Sequence, residues 1–295
     1  MQTSELLRKV RRLEIRSRHL VEDVFSGQTE SVFKGRGIEF EEVRPYVPGD
    51  EIRDLDWNVT ARLGEPYVKR FVEQRELTVL FVIDISRSMR FGTAGAEKRE
   101  LAAELCAVLG FAALRNDDRI GLVLAAEHVE HYVPPSRGRS HLLRILRDVL
   151  SVTAERPGTK LSEVARFVLR TTHRRSVVLW ISDFEDTLDP RDWRVMARRH
   201  DVTAVALRDP RDEWLPSAGW VEMEDLESGK RKLVNTSSAR VREQYRREAR
   251  KRWQDAETAL AKSRCPVLQI RTDQSYLPVL LRYFARRRRG GRSVA

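Results

Sequence analysis

Three oxygen-bearing side chains are spaced two residues apart in one short segment of the sequence. Asp84, Ser86 and Ser88 follow an apolar, β-rich run at residues 77–83. One carboxylate and two hydroxyls in a single loop are hard oxygen donors, which suit the near-octahedral shell of Mg²⁺. Aspartate and serine after a strand are also common helix caps. On its own, the segment is therefore a weak signal for a metal site.

Two further segments bring oxygen donors to the same predicted edge of a sheet. Thr159 lies in a Pro-Gly-Thr loop before a predicted helix, and Asp183 follows a second apolar run. Ligands of a doubly wound sheet bind outside the carboxyl ends of its strands. We therefore expect all five residues to converge at one edge of one sheet, which favours a metal site over a helix cap.

Strands and helices alternate from residue 76 onward. Continuous apolar runs are typical of parallel strands buried on both faces, and helices between them cover the sheet. The sequence thus predicts an α/β fold with a doubly wound, mostly parallel sheet and helices on both faces. Strands are expected at 77–83, 119–126, 129–133 (a short edge strand), 176–181, 202–207 and 267–270, and helices at 97–115, 141–150, 161–170 and 190–199.

The predicted domain organisation has three regions. Residues 1–75 hold a helix at 4–25, whose apolar residues recur at helical spacing, and a small β-rich segment with turns at 35–71. Residues 76–210 form the α/β domain. Residues 211–295 form a C-terminal extension that we expect to pack on the same domain. It would hold a hairpin (220–223 with 232–234), a long helix at 237–262, a strand and a final helix at 276–286.

The chain of 295 residues is basic, with a formal net charge of +11. Such a balance favours acidic partners, which include nucleic acid, anionic lipid and acidic protein surfaces. The tightest basic block, residues 286–289 followed by Arg292, is interpreted as a solvated tail. Because no zinc-finger spacing or RNA-recognition motif accompanies the charge, the sequence disfavours a nucleic-acid partner.

The cysteines and the apolar runs bear on the cellular compartment. Cys106 and Cys265 have no metal-type spacing and indicate no disulfide framework. The charged N-terminus has no signal-peptide core. The longest apolar stretch, at 77–85, is far shorter than the ~20 residues of a membrane helix. We therefore expect a cytoplasmic protein without a membrane segment.

The D-x-S-x-S loop, with a later threonine and a second aspartate, resembles the metal-ion-dependent adhesion site of von Willebrand factor A domains. The resemblance implies that Asp84, Ser86 and Ser88 are core ligands of Mg²⁺ or Mn²⁺. Thr159 and Asp183 would bind the metal directly or through water. It also implies one open coordination position, which an acidic side chain of a protein partner fills. Such a site recognises a partner and does not catalyse a reaction.

A signature is formed by residues 35–40, 44–46 and 48–50, with Arg53, Asp56, Trp57, Ala61 and Arg62. It is similar to the signature of the domain-of-unknown-function 58 family, and this second resemblance extends over nearly the whole chain. Members of that family commonly accompany MoxR-type AAA+ ATPases, so the resemblance implies an adaptor or assembly factor acting with such an ATPase. We interpret Arg44, Asp50, Arg53 and Asp56 of the family signature as a buried, salt-bridged scaffold.

Two alternative functions stay open beside the interaction module. Asp84 at a strand end faintly resembles the nucleophile of haloacid-dehalogenase-type phosphatases, but the position two residues on is Ser86, which cannot act as the acid. Neither a P-loop nor a G-x-S-x-G motif occurs. A nucleic-acid-binding protein is the other alternative, and it rests on charge alone. We favour a non-enzymatic, metal-dependent protein-interaction module.

Overall fold

A computed structural model describes residues 3–25, 38–48, 50–51, 54–73, 77–155, 158–186, 188–225 and 229–291. Several residues of the sequence argument lie outside the described ones: Gly35, Gly37, Gly49, Arg53, Pro157 and Arg292, and the side chains of Phe40, Arg286, Arg288 and Arg289. The strands are β1 (Ile38–Pro45), β2 (Tyr67–Glu73), β3 (Thr78–Asp84), β4 (Arg119–Ala125), β5 (Val129–Ser136), β6 (Val177–Ser182), β7 (Asp201–Arg208), β8 (Trp220–Glu224), β9 (Arg231–Asn235) and β10 (Val267–Arg271). The helices are α1 (Thr3–Phe25), α2 (Trp57–Leu63), α3 (Lys98–Arg115), α4 (Arg139–Ser151), α5 (Leu161–Thr171), α6 (Pro190–Arg199), α7 (Pro210–Glu213), α8 (Ala239–Lys262) and α9 (Leu277–Gly291).

A six-stranded sheet in the order β10-β7-β6-β3-β4-β5 forms the centre of the fold. All its neighbouring strands are parallel except β5, which pairs antiparallel with β4 at the edge. Numbered by their own sequence order, the six strands lie in the doubly wound order 3-2-1-4-5-6. The predicted α/β class and the predicted edge strand are both confirmed.

Two layers of helices cover the sheet because successive residues of its strands point to opposite faces. In β3, Val79, Phe81 and Ile83 pack with α1, α3, α4 and α9, whereas Leu80 and Val82 pack with α5, α6 and α8. Both sets are essentially inaccessible to solvent. The continuous apolar run that predicted this strand thus results from burial on both faces.

The N-terminal region contains one helix that the sequence did not predict. Between β1 and β2, which pair antiparallel, the seven-residue helix α2 begins after Asp56. The Asp56 carboxylate accepts hydrogen bonds from the amides of Asn58 and Val59, so it serves as the helix cap. The expectation of strands and turns alone was therefore incomplete, because this segment also contains a short helix capped by Asp56.

The predicted salt-bridged scaffold of the signature is present in part. The Arg44 guanidinium donates to both carboxylate oxygens of Asp50, at 2.8 and 2.7 Å. Their side chains keep 34% and 23% of their exposure, so the pair is half-buried and not buried as predicted. It closes the turn after β1, where Asp50 also accepts a hydrogen bond from the Val47 amide.

Both ends of the chain pack on the α/β core. Helix α1 buries Val10 and Val21 against it, and Lys9 pairs with Glu100 of α3 at 2.6 Å. From the C-terminal extension, β10 adds a parallel strand beside β7. Of the helices described, none has both the length and the apolarity required to cross a membrane.

Candidate metal centre

The doubly wound order places a switch point between β3 and β6, the strands from which the chain winds in opposite directions. Ligands of such sheets bind in the crevice at the carboxyl ends of these strands. Asp84 is the last residue of β3, and Asp183 directly follows β6. The two strands are parallel neighbours, with Ile83 opposite Ile181. Both aspartates therefore lie at the switch point, as the sequence predicted.

The Asp84 carboxylate is buried and fixed by two hydrogen bonds. Its Oδ1 atom accepts from the Ser86 amide at 2.8 Å, and its Oδ2 atom accepts from the Ser182 hydroxyl at 2.7 Å. Only 3% of Asp84 is exposed. Burial, together with the negative charge of Asp183, raises the pKa of Asp84 well above its usual range. A positive charge at this position would relieve that unfavourable electrostatic energy.

The loop after β3 places two hydroxyls beside this carboxylate. The Oγ atoms of Ser86 and Ser88 lie 3.0 Å apart, within hydrogen-bond distance. A 3-10 turn at Arg87–Arg90 holds the loop, and its Met89 side chain is completely buried in the core. The Ile85 amide donates to the Ala125 carbonyl at the end of β4, so the loop is also tied to the neighbouring strand.

Asp183 is buried as deeply as Asp84, but it has a different set of partners. The Ser88 hydroxyl is close enough to contribute to its pKa, which places Asp183 beside the loop after β3. The Lys98 ammonium, at the start of α3, lies 2.9 Å from its Oδ2 atom. Burial alone would raise the pKa of Asp183, but the Lys98 ammonium and, to a smaller extent, the Ser88 hydroxyl hold it below its usual value.

Thr159 lies in the loop that precedes α5. The Lys160 amide donates to the Ala126 carbonyl just beyond β4, and the Leu161 amide donates to the Asp186 carboxylate. These two bonds fix the Thr159 loop at the same edge of the sheet. Hydrogen bonds thus join Asp84, Ser86 and Ser88 in one group. Asp183 lies close enough for its charge to raise the pKa of Asp84, and the Thr159 loop lies at the same edge of the sheet.

The chemistry of this group fits a hard divalent cation. Two carboxylates and two hydroxyls are the oxygen ligands that Mg²⁺ prefers. Two buried carboxylates so close together repel each other unless a cation lies between or beside them. Burial is the larger cause of the raised pKa of Asp84, and repulsion from Asp183 adds to it. Asp84, Ser86, Ser88 and Asp183 are therefore suited to hold such a metal, with Thr159 as the neighbouring donor.

Three residues near the group were not identified from the sequence: Ser182, Lys98 and Asp212. Ser182 is the partner of Asp84, and its position at the end of a predicted strand was the signal that could have found it. Lys98 contacts Asp183 and also Asp212, at 2.8 Å. Burial lowers the pKa of the Lys98 ammonium, but the two carboxylates together outweigh that effect and raise it. No sequence pattern indicates Lys98, since its partners lie far away in the chain.

Comparison with known proteins places the chain in a family. A model of the family described as "Protein of unknown function DUF58" matches residues 42–255. An uncharacterised protein of Mycobacterium tuberculosis (strain H37Rv) is 34% identical over 292 residues, which are 97% of this chain and 91% of that protein. An uncharacterised protein of Mycobacterium avium is 30% identical over 164 residues, which are 54% of this chain and 95% of that protein.

Solved structures with a similar fold include two proteins of low sequence identity. The conserved hypothetical protein BatB from Bacteroides thetaiotaomicron is 16% identical, with a TM-score of 0.46, over 71% of this chain and 99% of that one. The VWA domain of SpRpn10 is 14% identical, with a TM-score of 0.38, over 74% of this chain and 98% of that one. On the extent of the family match and the identity to the M. tuberculosis protein, the chain belongs to the DUF58 family of proteins of unknown function.

Proposed function

We propose that this protein is a metal-dependent protein-interaction module. The observation that carries the proposal is the burial of Asp84 and Asp183 side by side at the switch point of the sheet, with the Ser86 and Ser88 hydroxyls beside them. In this proposal, Asp84, Ser86, Ser88 and Asp183 hold Mg²⁺ or Mn²⁺ together with Thr159. The bound metal supplies a positive centre to which a carboxylate of a partner protein can bind.

Basic side chains around the metal loop support an acidic partner. Arg87 and Arg90 lie in the 3-10 turn that holds the loop, and both side chains are exposed. Positive charge close to a binding site speeds the approach of an acidic partner and aligns it. The net charge of +11 acts in the same direction at longer range. The partner surface is therefore expected to carry an aspartate or glutamate that reaches the metal.

The hydrogen bonds of the site speak against the phosphatase alternative. The position two residues after Asp84 is Ser86, whose hydroxyl lies against that of Ser88. A serine hydroxyl does not serve as a general acid near neutral pH. The carboxylate oxygens of Asp84 are both occupied by hydrogen bonds from Ser86 and Ser182. This arrangement suits a fixed ligand better than a nucleophile.

A MoxR-type AAA+ ATPase is the partner that we propose on the basis of family resemblance. The test is co-purification of the two proteins with Mg²⁺ and, separately, with EDTA. Beside the parent, the experiment uses Asp84→Asn and, as a matched control, Asp117→Asn. Asp117 is an exposed aspartate ahead of β4, at the opposite edge of the sheet. It has a φ of 60°, which asparagine adopts readily, so its substitution should be harmless.

The proposal predicts that the parent and Asp117→Asn retain the ATPase in Mg²⁺ and lose it in EDTA. Asp84→Asn should fail to retain it under either condition. Retention that is equal in Mg²⁺ and EDTA would show that the interaction does not depend on the metal site. Retention by Asp84→Asn at the level of the parent would contradict the proposal in the same way.

A further inference from the structure

A lysine ammonium is buried within the candidate metal centre. Lys98 is only 1% exposed, and its Nζ atom lies 2.9 Å from Asp183 and 2.8 Å from Asp212. Its third neighbour is the ring of Phe91, whose centroid is 5.9 Å away. Because an unpaired buried charge is very unfavourable, the two carboxylates are required for this placement.

The local structure does not favour a lysine at this position. Lys98 is the first residue of α3, where the positive end of the helix dipole opposes a cation. Its amide donates to the Phe91 carbonyl at 3.0 Å, which fixes the backbone directly after the metal loop. Neither helix formation nor solvation explains the residue, so its reason must lie in the carboxylates that it contacts.

Asp212, the second carboxylate partner of Lys98, is held in place by its own hydrogen bond. It belongs to the short helix α7, where its side chain accepts a hydrogen bond from the Asp209 amide at 2.8 Å. The Asp209 carboxylate in turn accepts bonds from the hydroxyls of Thr93 and Thr272. Lys98 is therefore shared between a candidate metal ligand and an anchored carboxylate that does not belong to the metal group.

We propose that the Lys98 ammonium is a built-in counter-cation of the metal site. It pairs with Asp183 when no metal is bound, so the site stays folded and Asp183 stays in place. When a divalent cation arrives, the ammonium repels it, and this repulsion weakens the affinity of the site. Asp212, which is outside the proposed ligand set, gives Lys98 a second carboxylate partner. This inference rests on the proposed metal-binding function, because it concerns how tightly the same site holds its ion.

The experiment measures thermal unfolding in EDTA and in Mg²⁺ for the parent, Lys98→Met and Lys9→Met. Lys9 is the matched control, since it also pairs with a carboxylate, that of Glu100, but is 39% exposed and lies on α1. In EDTA, Lys98→Met should unfold about 10 °C below the parent, because a buried ion pair is broken. Lys9→Met should change the midpoint by no more than about 3 °C.

The decisive quantity is the rise in unfolding temperature that Mg²⁺ produces. Without the ammonium, the Mg²⁺ affinity should increase on the order of tenfold, so the rise should be larger in Lys98→Met than in the parent. If Mg²⁺ raises the unfolding temperature of the parent, and raises that of Lys98→Met by the same amount or less, this inference alone is overturned. No rise in either protein overturns both this inference and the proposed function.

A second variant covers the case in which Lys98→Met does not fold. Lys98→Met/Asp212→Asn removes one positive and one negative charge together and leaves all proposed metal ligands unchanged. It should fold in EDTA and show a larger rise with Mg²⁺ than the parent. A rise no larger than that of the parent overturns the counter-cation role.

Discussion

The Ser182 hydroxyl lies 2.7 Å from Oδ2 of Asp84, so the last residue of β6 donates to the last residue of β3. The same oxygen of Ser182 accepts a hydrogen bond from the Phe184 amide at 3.0 Å. This hydroxyl therefore fixes both the Asp84 carboxylate and the backbone that follows Asp183. The spacing between the two halves of the candidate site depends on it.

Replacing Ser182 with alanine should weaken both the fold and metal binding. The substitution leaves a buried carboxylate oxygen without its donor, which should lower the free energy of unfolding by about 1–3 kcal/mol. Urea denaturation measures that loss, and calorimetric Mg²⁺ titration measures the affinity. Ser176→Ala is the control, because Ser176 is buried just before the other end of β6 and donates to the Arg174 carbonyl. Unchanged Mg²⁺ affinity in Ser182→Ala, or an equal loss in both variants, would contradict this role.

The Met89 side chain should be the main anchor of the metal loop. It is fully buried within the 3-10 turn that contains Ser88. Met89→Ala should lower the free energy of unfolding by about 2–5 kcal/mol through the cavity that it leaves. Met89→Leu, which nearly conserves the volume, should cost less than about 1.5 kcal/mol. Hydrogen exchange of the amides at 85–91 should accelerate in Met89→Ala only; equal exchange in both variants would show that another contact anchors the loop.

His200 should make the stability of the protein dependent on pH. It is completely buried, and burial, together with the charges of Arg199 and Arg175, lowers its pKa from the ordinary 6.5 to about 4. Between these values the unfolded chain binds a proton that the folded chain does not, so stability rises with pH. The contribution is fully present above pH 6.5 and is lost as pH falls toward 4, by about 3 kcal/mol in total.

The measurement for His200 is urea denaturation at intervals from pH 7 to pH 4. The parent should lose more stability over this range than His200→Gln, which has no proton to bind. Ser176 donates its amide to the Nδ1 atom of His200, and the glutamine oxygen can accept that bond in its place. Parallel pH dependence in the two proteins would show that His200 is not the group responsible.

Much of the fold is predictable because its strands are buried on both faces. The run at 77–83 became β3, one residue displaced, and the positions of Asp84 and Asp183 at the strand ends followed from it. Helix α2 was missed because its seven residues are too few to show a helical period, and its stability depends on the Asp56 cap. Lys98 was missed for a different reason. Its partners Asp183 and Asp212 become neighbours only through the sheet topology, which the local sequence does not encode.

The stability of Asp84→Asn in the absence of metal should indicate, independently of metal binding, that Asp84 has a functional role. In the absence of metal, the ionised Asp84 carboxylate is buried next to the charge of Asp183, so its ionisation opposes folding. Asparagine has nearly the same shape and no charge. We therefore expect Asp84→Asn to unfold in EDTA at the same temperature as the parent or above it. Such a gain at the expense of binding is typical of residues retained for function.

The most direct test of the metal site is a calorimetric titration of Mg²⁺ and Mn²⁺ into the parent, Asp84→Asn and Asp117→Asn, each shown to be folded by thermal melts. The account predicts saturable binding of one ion by the parent and by Asp117→Asn, and none by Asp84→Asn. Binding of equal strength by all three proteins, or by none of them, would contradict the claim that Asp84 and its neighbours hold a divalent metal.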